Sequence, residues 1–153
     1  MSTTEGIPSQ ATSADGPHRT ANVDGSVRDV VSVRLPAEAA YLAVLRTTTA
    51  SLAARLDFTL DEIEDLRIAV DEASCLLLAG AVPGAELTSV FEMSADSLTV
   101  SVSTMTREGR APARDSFAWT VLSALAGGVD AWTEDDGRQT ISLVKHRLRE
   151  EPA

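Results

Sequence analysis

The segment "TLDEIEDLRIAVDEASCLLLAGAVPG", residues 59 to 84, limits the fold more than any other part of the chain. Thr59 with Glu62 three residues on has the capping-box form, a hydroxyl and a carboxylate that satisfy orphan backbone donors where a helix starts. Ile63, Leu66, Val70, Ala73 and Leu77 then make one apolar stripe, while Asp65, Ile68, Glu72 and Leu76 lie on a different side. Gly80, Pro83 and Gly84 stop the run. A helix from near Leu60 to near Gly80 with a single apolar stripe must bury that stripe against another layer.

The flanking segments supply the layer. "SVRDVVSVRLP" alternates Val30, Ser32 and Arg34 with Val31, Val33 and Leu35, the period of a half-buried strand that Pro36 ends. "AEAAYLAVLRTTTASLAARL" places Tyr41, Leu42, Leu45, Leu52 and Leu56 at helical spacing, and "DFT" breaks the helix. "LTSVFEMS" and "SLTVSVST" read as two strands of a meander, followed by the loop "MTREGRAPARD". "SFAWTVLSALAGG" reads as a helix capped by Asp115 or Ser116 and ended by Gly127–Gly128, and "VDAWTEDDGRQTISLVKHRL" as a hairpin turned at "DDGR". The order strand, helix, helix, strand, strand, helix, strand, strand predicts an α+β fold. It is a two-layer sandwich, a mixed, mainly antiparallel sheet covered on one face by about three helices.

Residues 1–25 are rich in Ser, Thr, Gly, Pro and Asp and read as a disordered leader. Residues 26–149 form the expected domain and 150–153 a short tail. Twenty-three acidic residues against thirteen basic ones give a net charge of −10, which repels nucleic-acid phosphate and acidic membrane surfaces and favours a protein or small-molecule partner. Cys75, the only cysteine, has no internal disulfide partner and reads as a small buried hydrophobe. Neither a signal-peptide pattern nor an apolar run of roughly 20 residues is present, so the expected address is the cytoplasm. His18 and His146 lack metal-ligand spacing, and the acidic run "DFTLDEIEDL" lacks the glycine and register of a calcium loop. No metal site is expected. Trp119 and Trp132 read as core, and Lys145 is the single lysine among the basic residues.

The run "LPAEAAYLAVLRTTTASLAARLDFTLDEIEDLRIAVDEA" resembles the anti-sigma regulatory factors of the RsbW and SpoIIAB type, small serine-protein kinases of the GHKL (Bergerat) ATPase superfamily. The likeness covers roughly residues 28 to 147, is most specific in "LRIAVDEAS", and continues through "SFAWTVLSALAGGVDAW" and "ISLVKH", which match the family's last helix and final hairpin. It points to the Bergerat fold and to the actinobacterial branch that restrains stress or developmental sigma factors. In such kinases a glutamate on this helix is followed four residues later by an asparagine, because residues i and i+4 share a face. The carboxylate orients the attacking hydroxyl and the amide oxygen helps hold magnesium.

By this resemblance Glu72 takes the catalytic position, but Leu76 stands where the asparagine belongs and offers a hard cation no oxygen. The family's Asp-x-Gly-x-Gly turn, whose aspartate reads the adenine amino group, corresponds to "STMTREGRAP", which keeps Gly109 alone as a nucleotide-contact candidate. The glycines expected at the last helix, where N–H groups would cradle phosphates, are replaced by "RDSFAWT", with Phe117 and Trp119 expected to fill the lid. The expectation is therefore an anti-sigma factor without tight ATP binding. The alternative is an active kinase that uses Glu72, ATP and magnesium to phosphorylate a STAS-domain anti-anti-sigma protein. The resemblance further implies sigma-factor contacts at Arg46 and Leu42. It also implies a homodimer formed through Val31 to Leu35 and the neighbours of Tyr41.

Overall fold

The computed structural model describes residues 20–21 and 27–148. In chain order these form β1 (Thr20–Ala21), β2 (Val27–Pro36), α1 (Leu42–Arg55), α2 (Leu60–Gly80), β3 (Glu86–Met93), β4 (Ser97–Met105), α3 (Phe117–Leu125), β5 (Gly128–Thr133) and β6 (Arg138–His146). A turn of 3-10 helix, Ala39–Tyr41, leads into α1. β1 lies within the segment expected to be a leader, where it pairs Thr20 with Arg28 and Ala21 with Val27; the remainder of residues 1–25, and the tail at 150–153, lie outside the described residues.

The sheet order is β1-β2-β3-β4-β6-β5, and every described pairing is antiparallel. A mixed sheet was expected, and the difference has a topological cause. Two helices, not one, separate β2 from β3, so the chain re-enters beside β2 in the opposite direction. β4 and β5 do run parallel across the single helix α3, but β6 inserts between them and pairs antiparallel with both.

Local signals set the element ends. Leu56 caps α1, Asp57 adopts a left-handed φ of 60°, and the N–H groups of Asp57 and Phe58 donate to the carbonyls of Ala54 and Ala53 at 3.1 and 3.2 Å. This is a Schellman stop in which aspartate holds the position glycine usually takes. The capping box at the start of α2 is formed: Thr59 Oγ1 accepts from Glu62 N–H at 3.2 Å and Glu62 Oε2 accepts from Thr59 N–H at 2.7 Å. Ser116, not Asp115, caps α3. That helix stops at Leu125, short of Gly127–Gly128, because Gly128 already belongs to β5.

α2 is the centre of the helical layer and packs on β4, β6, α1 and α3. Leu66, Ala69, Val70, Ala73 and Leu77 of α2 are fully buried or nearly so, against Phe91, Val100, Val102, Ile141 and Leu143 on the facing sheet surface. Burying one such side chain contributes about 1.5–3 kcal/mol. The opposite sheet face carries hydroxyl ladders, with Ser103 and Thr140 2.8 Å apart and Ser101 donating to Ser142 at 3.2 Å. Trp132 projects from that face and is 42% exposed, not core as expected, because it alternates with the inward-facing Ala131. Trp119 is only half-buried, beneath the Arg114 guanidinium at 4.6 Å.

Candidate functional site

The first turn of α2 is held to the end of the chain's last strand. Glu62 is 3% exposed, and its second carboxylate oxygen accepts from Leu148 N–H at 2.7 Å. Burial works to raise its pKa. The hydrogen bonds from Leu148 and Thr59, together with the Lys145 charge, outweigh burial and hold the carboxyl below its usual value. Lys145 donates to the Leu125 carbonyl at 2.8 Å and reaches Asp65 at 3.5 Å, tying β6 to the end of α3 and to α2. The lone lysine is thus a cross-brace between β6, α3 and α2.

Midway along α2, Asp71 accepts from Arg46 of α1 at 2.7 Å, with the two side chains 39% and 32% exposed. Arg46 is therefore engaged within the chain while keeping part of its guanidinium at the surface. Leu42, expected beside it at a partner surface, is 4% exposed and belongs to the core. The reason is helical phase: Leu42, Leu45, Thr49 and Ala53 form the buried stripe of α1, whereas Val44, two positions on, is 44% exposed.

Glu72 is exposed. Cys75 is also exposed, contrary to expectation, because the buried stripe runs through Ala73, Ser74 and Leu77 and turns residue 75 outward. Partial desolvation first, then the Asp71 and Glu72 charges, raise the thiol's pKa against the opposing charge of Arg46. A thiol kept protonated in this way is a poor nucleophile.

The last turns of α2 open onto a cavity of about 420 Å³, the size of a small-molecule site. Leu76, Ala79 and Gly80 form one wall; Thr106, Arg107, Glu108, Gly109, Arg110 and Pro112 form the other, with Gln139 of β6 beside them. The two walls are joined by Arg107 N–H donating to the Gly80 carbonyl at 2.9 Å. Gly109 has φ 57°, and a Cβ there would stand 3.3 Å from Thr133 Cγ2, so the turn favours glycine. Its N–H donates to Thr106 Oγ1 at 3.2 Å. The structure therefore brings Leu76 and Gly109 into one cavity and leaves Glu72 outside its lining.

Phe117 was expected to fill the region over this cavity, yet it is 83% exposed at the start of α3 and is not among the lining residues. The segment before α3 is fastened sideways: Arg114 donates to Asp130 of β5 at 2.8 Å and stacks on Trp119. Asp130 is held below its usual pKa by the bond from Arg114 and by Ala131 N–H. Sequence reasoning passed over Arg107, Arg110 and Gln139; two arginines flanking the left-handed Gly109 were the available signal. Among the described residues no group of three or more His, Cys, Asp or Glu side chains is placed to hold a metal ion, and no helix is long and apolar enough to cross a membrane.

The chain has relatives among known proteins. It is 37% identical over 109 residues to the anti-sigma-F factor RsbW of Mycobacterium tuberculosis, an alignment covering 71% of this chain and 64% of that protein. Over this stretch the chain is similar to RsbW proteins. It is also 36% identical over 74 residues to the serine-protein kinase RsbW of Bacillus cereus, covering 47% and 46% of the two chains. The alignments thus span less than two thirds of the length of these relatives. A crystal structure of RsbU and RsbW domains from Mycobacterium tuberculosis superposes with a TM-score of 0.63 at 15% identity, over 79% of this chain and 33% of that one, and supports the α+β fold. No protein-family model matches. α2 is the helix that carries Glu72, and the 106–112 wall is the stretch where an adenine-reading turn was expected.

Proposed function

We propose that the chain is an anti-sigma factor that captures an alternative stress or developmental sigma factor and yields it when a STAS-domain anti-anti-sigma antagonist competes. The similarity to the anti-sigma-F factor RsbW carries this reading. The surface favours it: at a net charge of −10 a protein partner suits the chain better than nucleic acid. In this reading Arg46, oriented by Asp71, offers its exposed guanidinium edge to a partner carboxylate, a fork geometry that lysine reproduces poorly. Exchange of partners needs mass action alone, since each 1.4 kcal/mol changes an occupancy ratio about tenfold.

We further propose that capture proceeds without Mg-ATP. A triphosphate bridged by magnesium needs oxygen ligands at the α2 wall, and that wall is Leu76, Ala79 and Gly80. These residues do not fit the group, and Glu72 is left at the surface as a solvated carboxylate. A homodimer through β2 belongs to the same proposal: beyond the short β1 pairing, the outer edge of β2 from Val30 to Pro36 has no neighbouring strand among the described residues.

Titration calorimetry against the sigma factor tests the reading. Arg46→Ala should weaken capture about tenfold or more, yet cost no more than about 1 kcal/mol of stability, because the pair with Asp71 is partly solvated. Unchanged affinity would remove Arg46 from the interface. Transfer of labelled phosphate from ATP to the antagonist, abolished by Glu72→Ala, would establish the kinase instead.

A further inference from the structure

We propose that the cavity between the end of α2 and residues 106–112 binds a small organic oxyanion, a phosphate monoester or a carboxylate on a flat apolar body, without any metal ion. Gln139 is 7% exposed and stands on the helix-facing side of β6, where Ile141 marks the buried phase. Gln139 lines the cavity, and its side chain makes no hydrogen bond among the described residues. Its amide therefore brings both a donor and an acceptor that a ligand in the cavity can use. Arg107 and Arg110 line the same cavity, and neither guanidinium forms an ion pair or side-chain hydrogen bond among the described residues.

The two arginines fit one chemistry. Guanidinium groups only donate hydrogen bonds, in a planar fork that matches carboxylate and phosphate oxygens. They do not recognise an amino group, the feature an aspartate at this turn would read. Glu108 also lines the cavity, so the local balance is one excess positive charge, on a chain whose total is −10. That excess attracts an oxyanion. Leu76 and Ala79 add apolar surface on the α2 wall and Pro112 on the wall of the arginines, which accommodates a ring or similar body. The volume, about 420 Å³, suits such a molecule.

The inference is independent of sigma-factor capture and is tested on the full chain alone. Phenyl phosphate, benzoate and inorganic phosphate are titrated separately in buffer containing EDTA, with Mg-ATP as the comparator. Phenyl phosphate or benzoate should bind, and whichever binds tighter names the anion. Inorganic phosphate should bind more weakly than the aryl ligand, because it leaves the Leu76 wall in water. The double variant Arg107→Ala/Arg110→Ala should weaken binding about tenfold or more. Arg55→Ala, which removes the same kind of charge at the far end of α1, should leave it unchanged. Absence of binding by both aryl anions would overturn the proposal, as would a requirement for magnesium or an equal loss in the Arg55 variant. Both arginines of the double variant are exposed, so thermal melting is expected to show a folded protein, and the wild-type titrations decide the matter even if it does not.

Discussion

At its first turn, α2 has its polar groups answered from within the chain: Thr59 and Glu62 cap each other, Glu62 also receives Leu148 N–H, and Asp65 faces Lys145. At its last turns the same helix presents Leu76 to a cavity whose polar lining, Arg107, Arg110 and Gln139, has no side-chain partner among the described residues. The contrast separates two uses of polarity. A buried carboxylate with both oxygens bonded specifies how α2 meets the end of β6, whereas the donors around the open volume face solvent and can turn to a ligand. Glu72, which by resemblance should have been the working group, lies between these ends and belongs to neither arrangement.

The comparison can be broken by measurement. Glu62→Ala should have the largest effect, about 2–3 kcal/mol lost in urea unfolding, since it strands two backbone donors and a charge-assisted bond at a buried site. The pH dependence has a definite sign. The folded carboxyl titrates below its reference of 4.5, so its stabilisation is present above that value and is lost as pH falls through the lower folded pKa. Wild type should therefore be more stable than Glu62→Gln at neutral pH, with the gap closing on acidification. A constant gap would show that the carboxylate charge is not what holds the anchor.

At the other end, Gly109→Ala should cost about 1 kcal/mol or somewhat more, from the left-handed φ and the 3.3 Å approach to Thr133, as read by thermal melting. The smallest effect belongs to Glu72→Ala, within about 0.5 kcal/mol, because an exposed side chain is removed. Destabilisation by Glu72→Ala comparable with that of Glu62→Ala would erase the distinction between the two regions.

Much of the fold was legible because its signals are local. Thr59 and Glu62 mark a helix start within four residues, Gly80 and Pro83 bound its end, and the alternation in Val30 to Leu35 declares a strand with one buried face. The site was legible only in part. Leu76 and Gly109 were singled out and do share a cavity, yet Leu42 was assigned to a surface that its helical phase denies it, and Phe117 to a filling role that its exposure denies.

By itself the sequence determined the order and type of the elements and the α+β class, since capping, periodicity and turn chemistry act over a few residues. Only the tertiary structure decided that Glu62 meets Leu148, 86 positions away, that Arg46 is shared with Asp71, and that Gln139 stands with Arg107 and Arg110 around one volume. Those juxtapositions depend on how β6 inserts between β4 and β5 and how α1 lies along α2, and no pattern within one segment encodes the distance to another.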